Sequence, residues 1–572
     1  IQVGTPGQFR LGLGIDGATV DLTGDARIPL RIIDAKLSSE PGPGYFAEVT
    51  YYSLALAAWL ENGGLAGDYV VVADAALWPG SFEVSHVRNA HAAGLSGLAL
   101  NPHLEADLEL VPTEVFVSEI TRFFHEVLER VARNAATPNW QTTLAWHVVP
   151  ACAGCDYLGQ AFPNVTNPGR HSQAHANHCV PMARTNDHLS RLPFLPRGGT
   201  TVLDRMGVRG TNHLANRQPS DPCFDQHHSL RAGRQIIPAR ARTLAGIGAV
   251  GVPAADATTA SIPKWSDLSL FLTADFDPTS AITLAFGMSG VFFASQFGAG
   301  AGTAPQRIAP TVYMVQHRDV LAERQELAVF LRAIRDHLDR AQRVDGDASV
   351  QLYLWDSLTF DHLTRVIGRH LDWLLASGRI ADLAWLFPPE DLVANPRTAK
   401  TPAVSVVGDA VRTIVATNQA HTYTLLGTAA VYNEGGNFNT AWLRTPPYWT
   451  TEFSDQIPGE RAFDIWTRRN TPRLPFAALV GSLDQTVKAR HRALATVVRR
   501  LRDDLKGSLR RQAPKIRDLL PPALTPGSSL LGSLLVAHTK LNAATAWQQN
   551  ARLRAMSPHE REARFASIRC TR

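Results

Sequence analysis

The chain has 572 residues, of which 45% are hydrophobic and 19% charged, and it carries a net charge of +5. This composition is typical of a soluble globular protein with several domains and excludes a disordered or fibrous chain. No apolar run reaches the roughly 18 residues that a membrane helix needs, and the first residues do not form a signal peptide. Because five cysteines are too few for a disulfide framework, we expect a cytoplasmic protein without a membrane partner.

The first half of the chain divides into two predicted segments. Segment 1–150 mixes strands and helices, with expected elements at 9–15, 19–22, 28–33, 46–60, 68–75 and 113–134. Segment 151–247 is rich in His, Cys and Pro, and a linker rich in Gly, Ala, Pro and Thr follows it.

The second half also divides into two predicted segments. Segment 265–440 is a second α/β unit, with strands expected at 268–275, 281–288 and 350–355 and helices at 318–342 and 360–377. Segment 441–572 is mainly helical and basic.

Two acids and a lysine stand out in segment 1–150. Asp34 and Lys36 are two residues apart on a predicted strand, so their side chains project from the same face. Asp21 closes the preceding strand and is expected to meet them, since two converging carboxylates suit a hard cation such as Mg²⁺. A bound Mg²⁺ activates water and holds a scissile phosphate. The next helix carries Glu48 and, four residues on, Tyr52.

This order of elements resembles the PD-(D/E)xK nuclease fold, and specifically the RecB-like family that includes the exonucleases of CRISPR adaptation. The resemblance implies that Asp21 and Asp34 bind Mg²⁺ or Mn²⁺ and that Lys36 is the catalytic lysine. Tyr52 matches the family's helix tyrosine, whereas Glu48 stands where glutamine is commoner. The family's first helix has no counterpart here, so we expect part of the domain to precede Ile1.

Three cysteines follow this predicted nuclease core. Cys152, Cys155 and Cys179 have a spacing that suits metal or cluster ligation. The cluster-bearing RecB-like nucleases place three cysteines here, which implies a 4Fe-4S cluster. A zinc site that adds one of three nearby histidines (His171, His175 and His178) is the alternative, and a chance group of buried thiols is another. Further along, residues 187–215 resemble a helix-hairpin-helix-type element that contacts a DNA backbone.

The second α/β unit resembles the ribonuclease H-like exonucleases. Asp275 and Asp277 end an apolar strand in the manner of the family's first metal-binding motif, and Asp361 opens a helix like the second motif. No aspartate completes the third motif near His421 or Tyr432. We therefore expect a degenerate exonuclease-type domain that serves architecture or DNA contact, while Asp277 has the simpler alternative of capping a turn.

A basic stretch near the end of the chain is a candidate DNA-binding surface. Eleven Lys and Arg residues lie between Lys488 and Arg517, against two Asp residues. Such a stripe attracts phosphate backbones, although a solvated helix face is an equal alternative. The residues selected as DNA contacts are Arg499, Arg500, Arg510 and Arg511.

The sequence therefore predicts an α/β protein with a restriction-endonuclease-like domain, a ribonuclease H-like domain and a C-terminal helical segment. The leading hypothesis is a metal-dependent DNase that processes DNA ends or single strands in repair or anti-phage defence. No P-loop occurs, yet the order of segments resembles the region ahead of the motor in bacterial superfamily 1 nuclease–helicase proteins, which implies a helicase module in the same polypeptide or a partner. The alternatives are a non-catalytic scaffold that guides DNA to a motor and a partner-docking module.

Overall fold

The computed structural model describes residues 2, 5–36, 42–80, 85–137, 146–150, 152, 155, 157–159, 177–293, 305–388, 402–432, 453–457, 459–468, 476–521, 523, 529–556 and 561. Contacts divide the chain into two compact units. Unit 1 comprises Ile1–Ala145 and Asp277–Ile282, and unit 2 comprises Trp146–Phe276 and Thr283–Arg572. Residues 151–247, 265–440 and 441–572 lie in unit 2, apart from Asp277–Ile282.

Unit 1 is a mixed α/β unit. Its regular elements in chain order are β1 (Leu11–Leu13), β2 (Thr19–Asp21), β3 (Ile28–Leu30), β4 (Ile33–Lys36), α1 (Pro43–Asn62), β5 (Tyr69–Val71), β6 (Asp74–Pro79), α2 (His86–Ala92), α3 (Asn101–Asp107), β7 (Glu109–Pro112), α4 (Glu114–Arg122), a π-helical turn (Phe123–Leu128) and α5 (Glu129–Ala135). The predicted strands 28–33 and 68–75 are each split in two, and β7 is not predicted.

Parallel pairing organises the strands of unit 1. β3 pairs with β5 and β4 pairs with β6, both parallel, and β7 pairs antiparallel with β6. α1 provides the crossover between these parallel strands, which a short turn could not make. β1 and β2 form an antiparallel hairpin, and one bridge from Gly12 to Val72 joins β1 to the chain between β5 and β6.

One face of α1 forms the core of unit 1. Its buried residues include Val49, Ala57 and Leu60, at intervals that keep them on one side of a helix. Val49 packs with Leu77 of β6, while Ala57 and Leu60 pack with Val71 of β5. Burial of these apolar side chains holds α1 against the sheet. The α1 residues that border β4 therefore have defined positions.

Unit 2 begins with short helices and continues with a long sheet and long helices. Its elements are α6 (Cys179–Thr185), α7 (Arg197–Arg205), α8 (Thr211–Ala215), α9 (His228–Ala232), α10 (Ile236–Leu244), β8 (Leu268–Phe276), β9 (Thr283–Phe292), β10 (Gln306–Met314), α11 (Val320–Val344), β11 (Val350–Leu354), α12 (Ser357–Arg369), α13 (Leu371–Ala376), β12 (Val404–Val406), α14 (Val407–Ile414), α15 (Leu425–Tyr432), α16 (Gly459–Arg468), α17 (Phe476–Asp504) and α18 (Leu530–Ala555).

The sheet of unit 2 has the strand order β10-β9-β8-β11-β12. The first three strands form an antiparallel meander, and β11 and β12 extend it in parallel beside β8. Almost every residue of β8, β9 and β11 is buried, because helices cover both faces. The predicted strands and helices of this region are all present, and β10 and β12 are additional.

The last predicted segment is part of this unit's core. Leu494 and Val497 of α17 are fully buried and pack with Phe271 of β8 on one face of the sheet. Leu541 of α18 packs in the cluster on the other face, which includes Leu352. The helical character of 441–572 is therefore confirmed for the part that the structure describes, but these helices complete the sheet domain.

Candidate functional site

Asp34 and Lys36 meet on the face of β4 that α1 covers. Asp34 pairs with Leu77 of β6, whose side chain packs in the core under α1, so residues 34 and 36 face that helix. Lys36 Nζ lies 2.6 Å from Asp34 Oδ2, and the Lys36 side chain is only 15% exposed. The prediction that these two side chains share a face is confirmed.

α1 adds two further side chains to this pair. Lys36 Nζ donates a hydrogen bond to Glu48 Oε2 at 2.7 Å, and Tyr52 Oη donates to Glu48 Oε1 at 2.7 Å. Glu48 and Tyr52 are one helical turn apart, so both reach the edge of β4 from the same side of α1. Asp34, Lys36, Glu48 and Tyr52 form one connected cluster, called here the lysine cluster.

The charges of the lysine cluster stabilise one another. Burial alone would lower the pKa of Lys36, but hydrogen bonds and charge from Asp34 and Glu48 raise it above its ordinary value. Lys36 therefore stays protonated and acts as a cation. The hydrogen bond from Lys36, followed by that from Tyr52, lowers the pKa of Glu48, which keeps its carboxylate ionised near neutral pH.

Asp21 is not part of the lysine cluster, which corrects the prediction. Its carboxylate accepts hydrogen bonds from the Thr23 backbone N–H at 2.9 Å and the Thr23 hydroxyl at 2.7 Å. The Val72 backbone N–H donates to the Leu30 carbonyl of β3, and Val72 also bridges to Gly12 of β1. β1 and the segment around Val72 therefore lie between β2 and the chain that leads from β3 into β4. Asp21 therefore belongs to the two-stranded sheet β1-β2, whereas Asp34 and Lys36 belong to the sheet β4-β6-β7.

Asp34 and Glu48 are the residues of this site that could hold a divalent cation. Both carboxylates contact Lys36 Nζ, at 2.6 Å from Asp34 and 2.7 Å from Glu48, so a cation here would share them with the ammonium group. Mg²⁺ is commonly held by one or two carboxylates with water filling its other positions, and this donor set fits that pattern. Among the residues that the structure describes, no group of three His, Cys, Asp or Glu side chains is arranged to hold a metal ion.

The three predicted ligand cysteines lie in unit 2. The Cys155 backbone N–H donates to the Cys152 carbonyl at 2.9 Å in a tight turn, and Cys152 and Cys179 pack in one small apolar cluster. Burial, followed by the charges of Cys155 and Cys152, raises the pKa of the Cys179 thiol. Within the described residues, the three thiols are not arranged as a group that could hold a metal ion. His178 precedes Cys179, while His171 and His175 lie outside the described residues.

In the second α/β unit, an arginine is paired with the first predicted metal ligand. Asp275 on β8 is 1% exposed and its Oδ1 forms an ion pair with Nη1 of Arg490 on α17. Burial raises the pKa of Asp275, and Arg490 opposes that shift. The opposite charge that a buried carboxylate requires is thus supplied by a guanidinium.

A second buried carboxylate lies within the field of Arg490. Asp455 accepts hydrogen bonds from the Leu425 and Leu426 backbone N–H groups at the start of α15. Burial raises the pKa of Asp455 to about 6, and these hydrogen bonds and the charge of Arg490 partly oppose the rise. Spacing in the sequence does not identify Arg490 and Asp455 as neighbours of Asp275, because both lie about 200 positions from it.

The other two predicted metal ligands of this domain, Asp277 and Asp361, lie in different surroundings from Asp275. Asp277 accepts hydrogen bonds from the Thr279 backbone at 2.9 Å and the Ser280 hydroxyl at 2.7 Å. It therefore caps a turn, which was the simpler of the two predictions for this residue. Asp361 lies on the exposed side of α12, whereas Asp275 is fully buried. The structure does not gather Asp275, Asp277 and Asp361 into one metal site.

The basic stretch is not a continuous solvated surface. The prediction that Arg511 contacts DNA is wrong. Its guanidinium instead donates hydrogen bonds within the protein, to the Ser261 and Pro402 carbonyls and to Gln351. Burial lowers its pKa to about 10. The other predicted contacts, Arg499, Arg500 and Arg510, lie nearer the surface, with Arg500 paired to Asp504 of the same helix at 3.2 Å.

No family model, curated protein or solved structure matches this chain. Within the described residues, no helix combines the length and apolar character needed to cross a membrane.

Proposed function

We propose that unit 1 is a metal-dependent deoxyribonuclease that acts on DNA ends or single strands. The observation that carries this proposal is the lysine cluster, in which Lys36 touches both Asp34 and Glu48 while Tyr52 binds Glu48. A strand with an Asp-x-Lys pair, followed by a helix with an acid and a tyrosine, is the arrangement that the RecB-like resemblance implies. The crossover of α1 between parallel strands supports a restriction-endonuclease-like fold for this unit.

The residues of the lysine cluster have distinct roles in this proposal. Asp34 and Glu48 hold Mg²⁺ or Mn²⁺, which when bound lowers the pKa of a coordinated water and polarises a phosphate. Lys36 remains charged and binds a phosphate oxygen as negative charge develops on it. Tyr52 holds the Glu48 carboxylate in position through its hydroxyl. Asp21 has no role, because it lies in a different sheet.

The second α/β domain is proposed as a non-catalytic ribonuclease H-like domain. A three-stranded meander extended by two parallel strands beside its first strand is the sheet expected of that fold. The scatter of Asp275, Asp277 and Asp361 supports loss of activity, because the structure does not gather these three predicted ligands into one metal site. This domain then serves as a scaffold that guides DNA.

The proposal also assigns a role to the three cysteines of unit 2 and a biological setting to the protein. Cys152, Cys155 and Cys179 would supply three ligands to a 4Fe-4S cluster or to Zn²⁺, a role that their spacing and the resemblance support. A helicase module in the same polypeptide or a partner and a role in DNA repair or phage defence follow from the resemblance, and a cytoplasmic location follows from the low cysteine content.

The nuclease proposal is tested by cleavage of end-labelled single-stranded and duplex DNA with Mg²⁺, Mn²⁺ or EDTA. We expect metal-dependent cleavage that falls at least 100-fold in Lys36→Ala, because one charge-stabilising group of this kind is worth about 10²–10³ in rate. Lys264→Ala is the matched control, since Lys264 is exposed in unit 2. Absence of metal-dependent cleavage by the unaltered chain, or equal activity in the two variants, would overturn the proposal.

The same assay tests the scaffold role of the second domain. If the second domain is not catalytic, the residual cleavage that Lys36→Ala leaves should be the same with and without the further change Asp275→Asn. Residual cleavage that survives Lys36→Ala and disappears on the further change Asp275→Asn would contradict the non-catalytic assignment. Salt-sensitive DNA binding without cleavage by any form of the chain would instead favour a scaffold role for the whole protein.

A further inference from the structure

Four aromatic side chains of unit 1 form a connected and exposed surface, called here the aromatic platform. Tyr51 contacts Tyr52 with ring centroids 5.8 Å apart, and it stacks on Phe124 at 5.1 Å. Phe123 meets Phe124 edge to face at 5.5 Å. Each of the four residues is between 37% and 47% exposed. A contiguous exposed aromatic patch of this kind marks a binding surface.

The helix backbone is altered where the platform residues lie. α4 is anchored to the core by Ile120, which is buried, but none of the residues in the π-helical turn Phe123–Leu128 is buried. A π-helical turn inserts an extra residue and is frequently found at functional sites. Here it places Phe124 against Tyr51 and Phe123 against Phe124, and both phenylalanines stay exposed.

The platform is continuous with the lysine cluster. Tyr52 belongs to both, because its ring contacts Tyr51 and its hydroxyl binds Glu48. On the other side of the cluster, Lys36 Nζ lies 4.8 Å from the centre of the Tyr45 ring. A strand that crosses the platform therefore arrives directly at the proposed catalytic residues.

We propose that the aromatic platform binds the unpaired bases of single-stranded DNA next to the lysine cluster. This inference rests on the proposed nuclease function and names its substrate as a single strand. Exposed aromatic faces stack on bases of any sequence, and only an unpaired strand can present its bases in this way. A duplex keeps its bases stacked inside the helix, so the platform selects against it.

The charges around the platform favour stacking over phosphate binding. Arg122 pairs with Glu119 and Arg133 pairs with Glu129 on the same helical segment, so these cations are already neutralised. The platform's contribution to affinity should therefore depend weakly on salt, unlike binding that is driven by counterion release.

The test measures fluorescence anisotropy of labelled oligothymidine and duplex DNA in EDTA, with every variant built on Lys36→Ala to prevent cleavage. Tyr51→Ala and Phe124→Ala should each raise the Kd for single-stranded DNA about tenfold, with little change for duplex. Val115→Ala is the control, because Val115 is an exposed apolar residue on the first turn of the same helical segment. Circular dichroism checks that each variant is folded.

Three results would overturn this inference. One is a Kd in the platform variants equal to that of Val115→Ala, and another is an equal loss of affinity for single strands and duplex. The third is a change in sedimentation from oligomer to monomer without a change in DNA affinity, because the platform would then join copies of the chain. Cleavage by the unaltered chain is assayed separately. A failure of the nuclease proposal is therefore distinguishable from a failure of the platform.

Discussion

Lys36 is the residue at which two pairs of side chains come together, one pair from a strand and one from a helix. Asp34 and Lys36 share a strand face, and Glu48 and Tyr52 share a helix face, so each pair can be predicted from local spacing. That the two faces meet at Lys36 Nζ is consistent with the family resemblance. Asp275 shows the limit of such reasoning, because its partner Arg490 lies 215 residues away and no spacing rule relates them.

A single buried residue, His491, should make the free energy of unfolding depend on pH. The side chain is 1% exposed, between the hydroxyls of Thr273 at 3.2 Å and Ser289 at 3.1 Å. Burial, with the charge of Arg490, lowers its pKa to about 3. In acid the unfolded chain binds a proton at this residue and the folded chain does not, so folding loses stability as pH falls below the unfolded pKa of about 6.5.

The expected loss at His491 is about 2 kcal/mol between about pH 6.5 and pH 5, at about 1.4 kcal/mol per pH unit for one proton. Urea unfolding of unit 2 at several pH values measures it. His491→Gln lacks the proton site, so its free energy of unfolding should fall less than that of the unaltered chain. Parallel pH profiles for the two proteins would contradict a neutral buried His491.

At the scale of elements, close approach of α17 to the sheet depends on Gly287 of β9. A Cβ atom at this position would lie 2.4 Å from His491 Nε2, 2.4 Å from Thr273 Oγ1 and 2.8 Å from Val487 Cγ1. The apolar character of β9 predicts a buried strand, but it does not reveal that a helix from 200 residues later requires a glycine there. Long-range packing therefore decides the identity of this residue.

Gly287→Ala should lower the free energy of unfolding of unit 2 by about 1–3 kcal/mol, because the added methyl overpacks the helix–sheet contact. Gly481→Ala is the matched control on α17. A Cβ atom at Gly481 meets no atom within 4 Å, so this change should stabilise the helix by about 0.5–1 kcal/mol. Denaturant unfolding measures both, and a stabilising Gly287→Ala would show that the contact is loose.

At the scale of the whole molecule, each unit has its own hydrophobic core. Leu77 is fully buried in unit 1 and Leu352 is fully buried in unit 2, in separate clusters. Four predicted segments have become two units, because α17 and α18 cover the two faces of the sheet that begins at β8. Composition marks such helices as basic, but only the packed structure identifies their buried faces.

Separate cores predict separate cooperative transitions. Leu77→Ala and Leu352→Ala should each cost about 2–5 kcal/mol through lost burial and a cavity. Hydrogen exchange followed by mass spectrometry should show faster exchange at 28–79 for the first variant and at 320–354 for the second. Equal acceleration of both regions in either variant would mean that the chain unfolds as one unit.

The sequence by itself determined the mixed α/β class, most strands and helices, and the pairing of Asp34 with Lys36, because periodicity and residue spacing are local properties. The tertiary structure decided that Asp21 lies in a different sheet from that pair, that the Arg511 guanidinium binds the Ser261 and Pro402 carbonyls and that Arg490 pairs with Asp275. Strand order and long-range packing bring distant residues together, and neither is encoded in the spacing of neighbouring residues.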